Sequence, residues 1–192
     1  MFQVRIHGRG GQGVVSGAEM LSVAAFDEGR HAQAFPSFGS ERMGAPVTAF
    51  CRIDDREVRL REPVTQPDAL IIQDPTLLHQ VDLFNGLRTE GYILINSTRG
   101  FEELGLGEFA RDFHHYRLCT VPASELAIKH IGRPLPNAAL LGGFAAVTGQ
   151  IKLDSVLTAI RDKFAPAIAA ANIAAASEAF ALALRAREAA HA

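Results

Sequence analysis

The sequence predicts a single α/β domain of three layers, with a mostly parallel sheet, an inserted β-hairpin near residues 46–60 and a helical C-terminal part. Three observations predict it. A β-type run over residues 2–7 breaks into four glycines between Gly8 and Gly13 and then feeds a helical pattern. Short apolar runs at residues 69–72 and 92–95 alternate with helix-competent segments, the rhythm of a parallel sheet with crossover helices. From Asn137 onward every segment reads as helix. With 192 residues and 48% hydrophobic content the chain can bury one sizeable core. It shows neither an internal repeat nor a linker, so residues 1–192 read as one domain.

In the first strand Phe2, Val4 and Ile6 share one face and Gln3, Arg5 and His7 the other. Central parallel strands are usually apolar on both faces, so this polar face must meet water, an inserted segment or a partner subunit. Val14, Ala18, Leu21 and Ala25 then recur at helical spacing to about residue 28, and Gly29 is placed to stop the helix. Residues 31–45 read as irregular, and residues 46–60 as two short strands around Asp54-Asp55. Strands at 69–72 and 92–95 end at Gln73-Asp74-Pro75 and Asn96-Ser97-Thr98, with a short helix to about Phe84 between them. A strand near 115–121 leads to Ser124, placed to cap a helix over 125–131. Helices over 137–148, 153–164 and 167–190 complete the chain, with Pro166 as a break.

Composition excludes several function classes. A net charge of −2 without a basic stripe argues against nucleic acid as a partner. Cys51 and Cys119 are too few and too far apart to hold an iron–sulfur cluster or a zinc site unaided, and they suggest a reducing cytoplasm. No signal peptide is expected, and the apolar stretches read as too short or too glycine-interrupted to span a bilayer. The seven histidines lack metal-ligand spacing, no nucleophile elbow surrounds a serine, and no carboxylate pair stands out for acid–base work. The chain's own residues do not make a complete enzyme.

Ligands of open α/β sheets bind beyond the carboxyl ends of the strands. Here those ends carry the glycine turn, Asp74, Asn96-Ser97-Thr98 and Ser124. Gly8, Gly10, Gly11 and Gly13 supply backbone N–H groups, and Gln12 adds an amide. The same glycines also suit a tight strand-to-helix turn with close packing, and both readings stand. The spacing is not that of a dinucleotide fingerprint, and no acid follows some 20 residues on. The segment 34–46 is long and apolar for a connector, which points to binding or an interface.

The stretch Gly8-Arg-Gly-Gly-Gln-Gly13 resembles the opening of the γ subunit, or γ domain, of 2-oxoacid:ferredoxin oxidoreductases. Pro36-Ser-Phe-Gly-Ser-Glu-Arg-Met-Gly-Ala-Pro46 is similar to that family's second block, with Phe38 for the usual tyrosine, Ser40 for proline and Glu41 directly beside Arg42. Asp74-Pro75, Asn96-Ser97, Pro136-Asn137 with Leu140-Leu-Gly142, and Phe164 through Asn172 to Phe180 match later landmarks. The resemblance spans essentially the whole chain. It implies a Rossmann-like component of an assembly that decarboxylates a 2-oxoacid such as pyruvate oxidatively with coenzyme A, giving acyl-CoA, carbon dioxide and reduced ferredoxin or another acceptor. Thiamine diphosphate and iron–sulfur clusters would lie in α, β and ferredoxin-like partner subunits, with no cofactor held by this chain alone. The expected ligand-facing residues are Gly8, Gly10, Gly11, Gln12, Gly13, Ser37, Ser40, Glu41 and Arg42. The rival reading is a self-sufficient nucleotide-binding enzyme built on the glycine loop. A purely architectural module is a third.

Overall fold

The two-sided first strand organises the molecule. In the computed structural model, which describes residues 1–37 and 42–192, the strands are β1 (Phe2–Arg9), β2 (His31–Pro36), β3 (Pro46–Asp54), β4 (Ala69–Ile72), β5 (Tyr92–Asn96) and β6 (Leu118–Val121). They form one sheet in the order β2-β3-β1-β4-β5-β6. β1, β4, β5 and β6 pair in parallel, whereas β3 runs antiparallel to both β1 and β2. The hairpin therefore lies upstream of its expected place. β2 and β3 pair from His31↔Asp54 to Pro36↔Ala49, and residues 55–68 hold no strand.

Val4 and Ile6 point into the larger core with Cys51 and Ile53 of β3 and Ile71 of β4. Five helices cover this face: α1 (Val14–Asp27), α3 (Ala123–Ile131), α4 (Asn137–Thr148), α5 (Leu153–Lys163) and α6 (Pro166–His191). α1 ends where Gly29 was expected to stop it. The Gly29 amide donates to the Phe26 carbonyl (2.9 Å) and the Arg30 amide to that of Ala25 (3.1 Å), a Schellman closure. α4 is buried along its whole length, because it lies between the sheet and α6. Its Gly142 packs on the backbone of Ala176 in α6, where a Cβ has no room.

The second face carries a smaller core of Ile72, Leu77, Leu83, Ile93, Ile95, Leu104 and Phe113. Its cover is irregular chain, with a 3-10 turn at Pro75–His79 and a four-residue α2 (Gly107–Ala110). The short helix expected to about Phe84 is thus only that turn. Of the expected 115–121 strand, residues His115–Arg117 form a second 3-10 turn. α6, at 26 residues, is long and apolar enough by composition to cross a membrane, contrary to the sequence-based expectation. Here its alanines Ala169, Ala175, Ala176, Ala179 and Ala183 are buried against the other helices.

The polar face of β1 meets an inserted segment of the same chain. Arg5 is 8% exposed and donates from Nη1 to the Val64 carbonyl (3.2 Å) and from Nη2 to those of Leu83 and Asn85 (both 2.8 Å). Arg52, on the neighbouring strand, donates to Gln3 Oε1 (2.9 Å) and to the carbonyls of Leu60, Glu62 and Pro63. Two guanidinium groups thereby strap residues 60–64 and 83–85 onto the sheet, since each fork satisfies several carbonyls at once. Burial against a partner chain, one expectation for this face, is not needed for Arg5 or His7.

His7 Nε2 accepts from Arg5 Nε (3.0 Å), which leaves the proton on Nδ1, facing Thr48 Oγ1 (3.3 Å). Burial first, and then the Arg5 charge, push the His7 pKa down to about 3. Burial likewise pushes the Cys51 and Cys119 thiols up to about 12, as expected for core thiols.

Two outcomes follow from this packing. Gly142→Ala lowers stability in urea titrations by about 1–3 kcal/mol, because even one methyl overpacks the α4–α6 contact. The unfolded His7 imidazole takes a proton below its ordinary value of 6.5, whereas the folded one stays neutral to about 3. Stability is therefore fully present above that ordinary value and falls on acidification by up to about 1.4 kcal/mol per pH unit. Comparing the acid slopes of the wild type and His7→Gln checks this, and the variant has the shallower slope.

Candidate functional site

β1 runs out at Arg9, and the chain turns through Gly10-Gly11-Gln12-Gly13 into α1. The turn is held from three sides. From below, Gln12 folds back so that its Oε1 accepts from the Arg9 amide (2.8 Å) and its Nε2 donates to Asp74 Oδ2 (2.8 Å). Gln73 Nε2 donates to the Gln12 carbonyl (2.9 Å). From the side, residues 42–45 of the second sequence block lie across the turn. The Gly10 amide donates to the Ala45 carbonyl (2.9 Å), and the Gly44 amide donates to the Gly10 carbonyl (3.1 Å). From above, Asn137 Nδ2 at the start of α4 donates to the Gly13 carbonyl (3.3 Å).

Glycine is required at two of these points by space and by conformation. A Cβ on Gly10 would occupy the place of the Arg42 carbonyl, and Gly13 has φ +71°, a left-handed value disfavoured for other residues.

Asp74 is the hub. Its carboxylate accepts from Arg9 Nε (3.2 Å), Gln12 Nε2 (2.8 Å), the Thr76 amide (3.0 Å) and Thr76 Oγ1 (2.6 Å). Partial burial works against its charge, but the hydrogen bonds from Thr76 and Gln12, with the Arg9 charge, outweigh that and hold the pKa below its ordinary value. Arg9 also donates to the Gly44 carbonyl, Thr76 Oγ1 and Gln80 Oε1, so one side chain joins the turn, the second block and the segment after β4. Farther along the same sheet edge, Asn96 Oδ1 accepts from the Ser124 amide (3.0 Å) and its Nδ2 donates to Ser124 Oγ (2.8 Å). Ser124 is therefore not the cap of α3. It sits inside the first turn, and Asn96 of β5 satisfies that turn from outside.

The N-terminus of α1 opens on a cavity of about 510 Å³. Gly11, Gly13 and Ser16 form one wall, and Asn137, Phe164 and Asn172 contribute from α4 and the α5–α6 junction. Gly13 is the N-cap of α1 and brings no side chain, so the first-turn amides lack a capping acceptor. The amides of Gly11 and Gly13 have no acceptor among the described residues. Unsatisfied N–H groups at the positive end of a helix dipole favour a phosphate or carboxylate.

No group of three metal-ligating side chains occurs among the described residues. The strand beside β1 on the hairpin side is the reversed β3, which begins at Pro46 next to Arg9. An acid at the end of a parallel second strand, as dinucleotide binding requires, has no place there.

Of the residues expected to face a ligand, Gly8, Gly10, Gly11, Gln12 and Gly13 cluster at this turn. Arg42 joins them through its backbone, while its exposed side chain makes no hydrogen bond or ion pair among the described residues. Ser37 does not belong to the cluster. Its amide donates to the Thr48 carbonyl (2.9 Å), and it lines a different pocket beside Arg5 and His7. Ser40 and Glu41 lie outside the described residues. Arg9 was missed as a site residue although it sits inside the glycine block, and Asp74 was noted only as a strand-end residue. Asn137, Phe164 and Asn172 were visible as landmarks of the resemblance, with no sign that they meet one cavity.

Comparison with known proteins bears on the family and the fold. The family model for pyruvate ferredoxin/flavodoxin oxidoreductase matches residues 3–182. The pyruvate synthase subunit PorC of Methanosarcina barkeri is 50% identical over 161 residues, covering 84% of this chain and 85% of its own. The pyruvate/ketoisovalerate oxidoreductases common subunit gamma of Pyrococcus abyssi is 44% identical over 180 residues, covering 94% and 96%. The crystal structure of pyruvate oxidoreductase subunit PORC from Thermotoga maritima superposes with a TM-score of 0.79 at 35% identity, covering 94% of this chain and 95% of that one.

Asp74→Asn keeps the shape of the hub and removes its charge. It lowers stability at neutral pH by about 1 kcal/mol, since the part-buried donors Arg9 and Gln12 lose a charged acceptor that solvent only partly replaces. The aspartate contribution is present above the ordinary value of 3.8 and disappears as pH falls through the depressed folded value. Denaturant titrations of both proteins therefore converge below that value and diverge above it.

Proposed function

The chain belongs to the pyruvate ferredoxin/flavodoxin oxidoreductase family, and we propose that it serves as the γ subunit of a multi-subunit 2-oxoacid:acceptor oxidoreductase. The assembly oxidatively decarboxylates a 2-oxoacid with coenzyme A to acyl-CoA and carbon dioxide and passes electrons to ferredoxin or another acceptor in the cytoplasm. This chain joins α, β and ferredoxin-like subunits that carry thiamine diphosphate and the iron–sulfur clusters. Cys51 and Cys119 suit that division, because they are buried on β3 and β6 with three strands between them and are poor cluster ligands.

The observation that carries the site reading is the convergence of the glycine turn, Asn137 and Asn172 on one cavity at the α1 N-terminus. In this proposal the Gly11 and Gly13 amides and the first α1 amides receive an anionic group of coenzyme A, with Asn137 fixing the turn beneath it. Coenzyme A supplies the thiol that accepts the acyl group. This chain binds and orients, and it moves no proton. Phe164, Leu135 and Ile168 give the cavity an apolar rim.

Expression from the native operon with a tag on this chain tests the assembly, and the partner subunits are expected in the purified complex. Recovery of this chain alone would contradict it. In the assembled enzyme Gly11→Val raises the KM for coenzyme A about tenfold or more, because the branched side chain is strained at φ +90° and removes binding energy of at least 1.4 kcal/mol. Unchanged coenzyme A kinetics in a complex that still assembles would leave the chain a purely architectural role.

A further inference from the structure

The opposite face of the sheet holds a second pocket, of about 280 Å³, next to Arg5 and His7. Its floor has an unusual charge balance. Arg5, on the lining, and Arg52, behind it on β3, are both buried and form no direct ion pair among the described residues, although the Asp82 carboxylate acts on Arg5 and that of Glu62 on Arg52 at longer range. Carbonyl oxygens satisfy most of their N–H groups, but a carbonyl dipole does not neutralise a buried cation as a carboxylate does. Four of the five N–H groups of Arg5 have acceptors: His7 Nε2 and the carbonyls of Val64, Leu83 and Asn85. One N–H on Nη1 is left without an acceptor among the described residues.

The hydrogen-bond direction adds a second donor. Arg5 Nε–H occupies His7 Nε2, so Nδ1–H points at Thr48 Oγ1. Thr48 then accepts from the ring, and its own O–H is free to donate into the pocket. Ser37 and Thr65 contribute further hydroxyl groups, while Phe50 and Val64 supply apolar wall. Among the described lining residues the carboxylate is Asp82, exposed at the rim. Arg5 carries one positive charge, His7 is neutral and Asp82 carries one negative charge, so the attraction for an anion is local to Arg5, and Asp82 at the rim opposes a second negative charge.

We propose that this pocket binds a small monocarboxylate, its carboxylate taking the remaining Arg5 Nη1 N–H and the Thr48 hydroxyl and its short carbon chain lying on Phe50 and Val64. The site is separate from the cavity at the α1 N-terminus, which lies across the sheet.

Acetate and propionate are titrated into the full chain at constant ionic strength, with sodium chloride and inorganic phosphate as the competing anions. The imidazole resonances of His7 are the readout, since that ring lies between the two donors. Saturable shifts are expected with a dissociation constant on the order of 1 mM, and Thr48→Val weakens it about tenfold, the equivalent of 1.4 kcal/mol. Arg5→Gln also cuts the strap, so the isosteric Thr48→Val, checked by its amide spectrum, is the decisive variant. Asp82→Asn tightens acetate several-fold and lets phosphate in. Shifts that never saturate, chloride acting as well as acetate, or unchanged affinity in Thr48→Val would each overturn the proposal.

Discussion

A glycine-rich turn is entropically expensive to order, because each glycine surrenders more backbone freedom than any other residue. In this chain the opposing force comes chiefly from one carboxylate. Asp74, at the end of β4, accepts from Arg9, Gln12 and Thr76. Arg9 and Gln12 belong to the turn itself, so the hub fastens β1 to its parallel neighbour at the point where the turn begins. The second block then docks through Gly10, and α4 docks through Asn137. Without the hub the turn would still be connected, but its amides would no longer be presented in one arrangement to the cavity at α1. Preorganised donors bind anions well because their ordering cost is met during folding.

Much of this architecture was legible in the sequence because its signals are local. The glycine turn, the helix stop at Gly29, the apolar runs at 69–72 and 92–95 and the break at Pro166 each act within a few residues, and each appears where it was expected. β2 was read as irregular because only two alanines of His31–Pro36, Ala32 and Ala34, face the core. Its identity as a strand comes from pairing with Cys51 and Ile53 across the hairpin, a tertiary contribution. Ser124 had the chemistry of a cap, yet Asn96, 28 residues away, satisfies that helix turn instead.

The candidate site divides in the same way. Its backbone was visible as a motif, whereas its supports were not, because Asp74, Asn137 and Asn172 reach it from 60 or more residues away. The polar face of β1 was recognised as needing a cover, and three covers were open. The strap that supplies it bonds through carbonyl groups, which every residue carries, so no side-chain pattern in 57–66 could announce it. The strap leaves the two faces of β1 with different roles. Helices and the α1 cavity occupy one, and a cationic, hydroxyl-lined pocket occupies the other.

Under the proposed function, the turn and first-turn amides of α1 are preorganised donors for an anionic group of coenzyme A. Amide hydrogen exchange of residues 10–16, in the free chain and in the assembled complex with coenzyme A, tests it most directly. The Gly10 amide, already bonded to Ala45, should be protected in both states. The Gly11 and Gly13 amides and the first α1 amides should exchange quickly in the free chain and become protected in the complex. Equal, fast exchange of those amides in both states would contradict the claim.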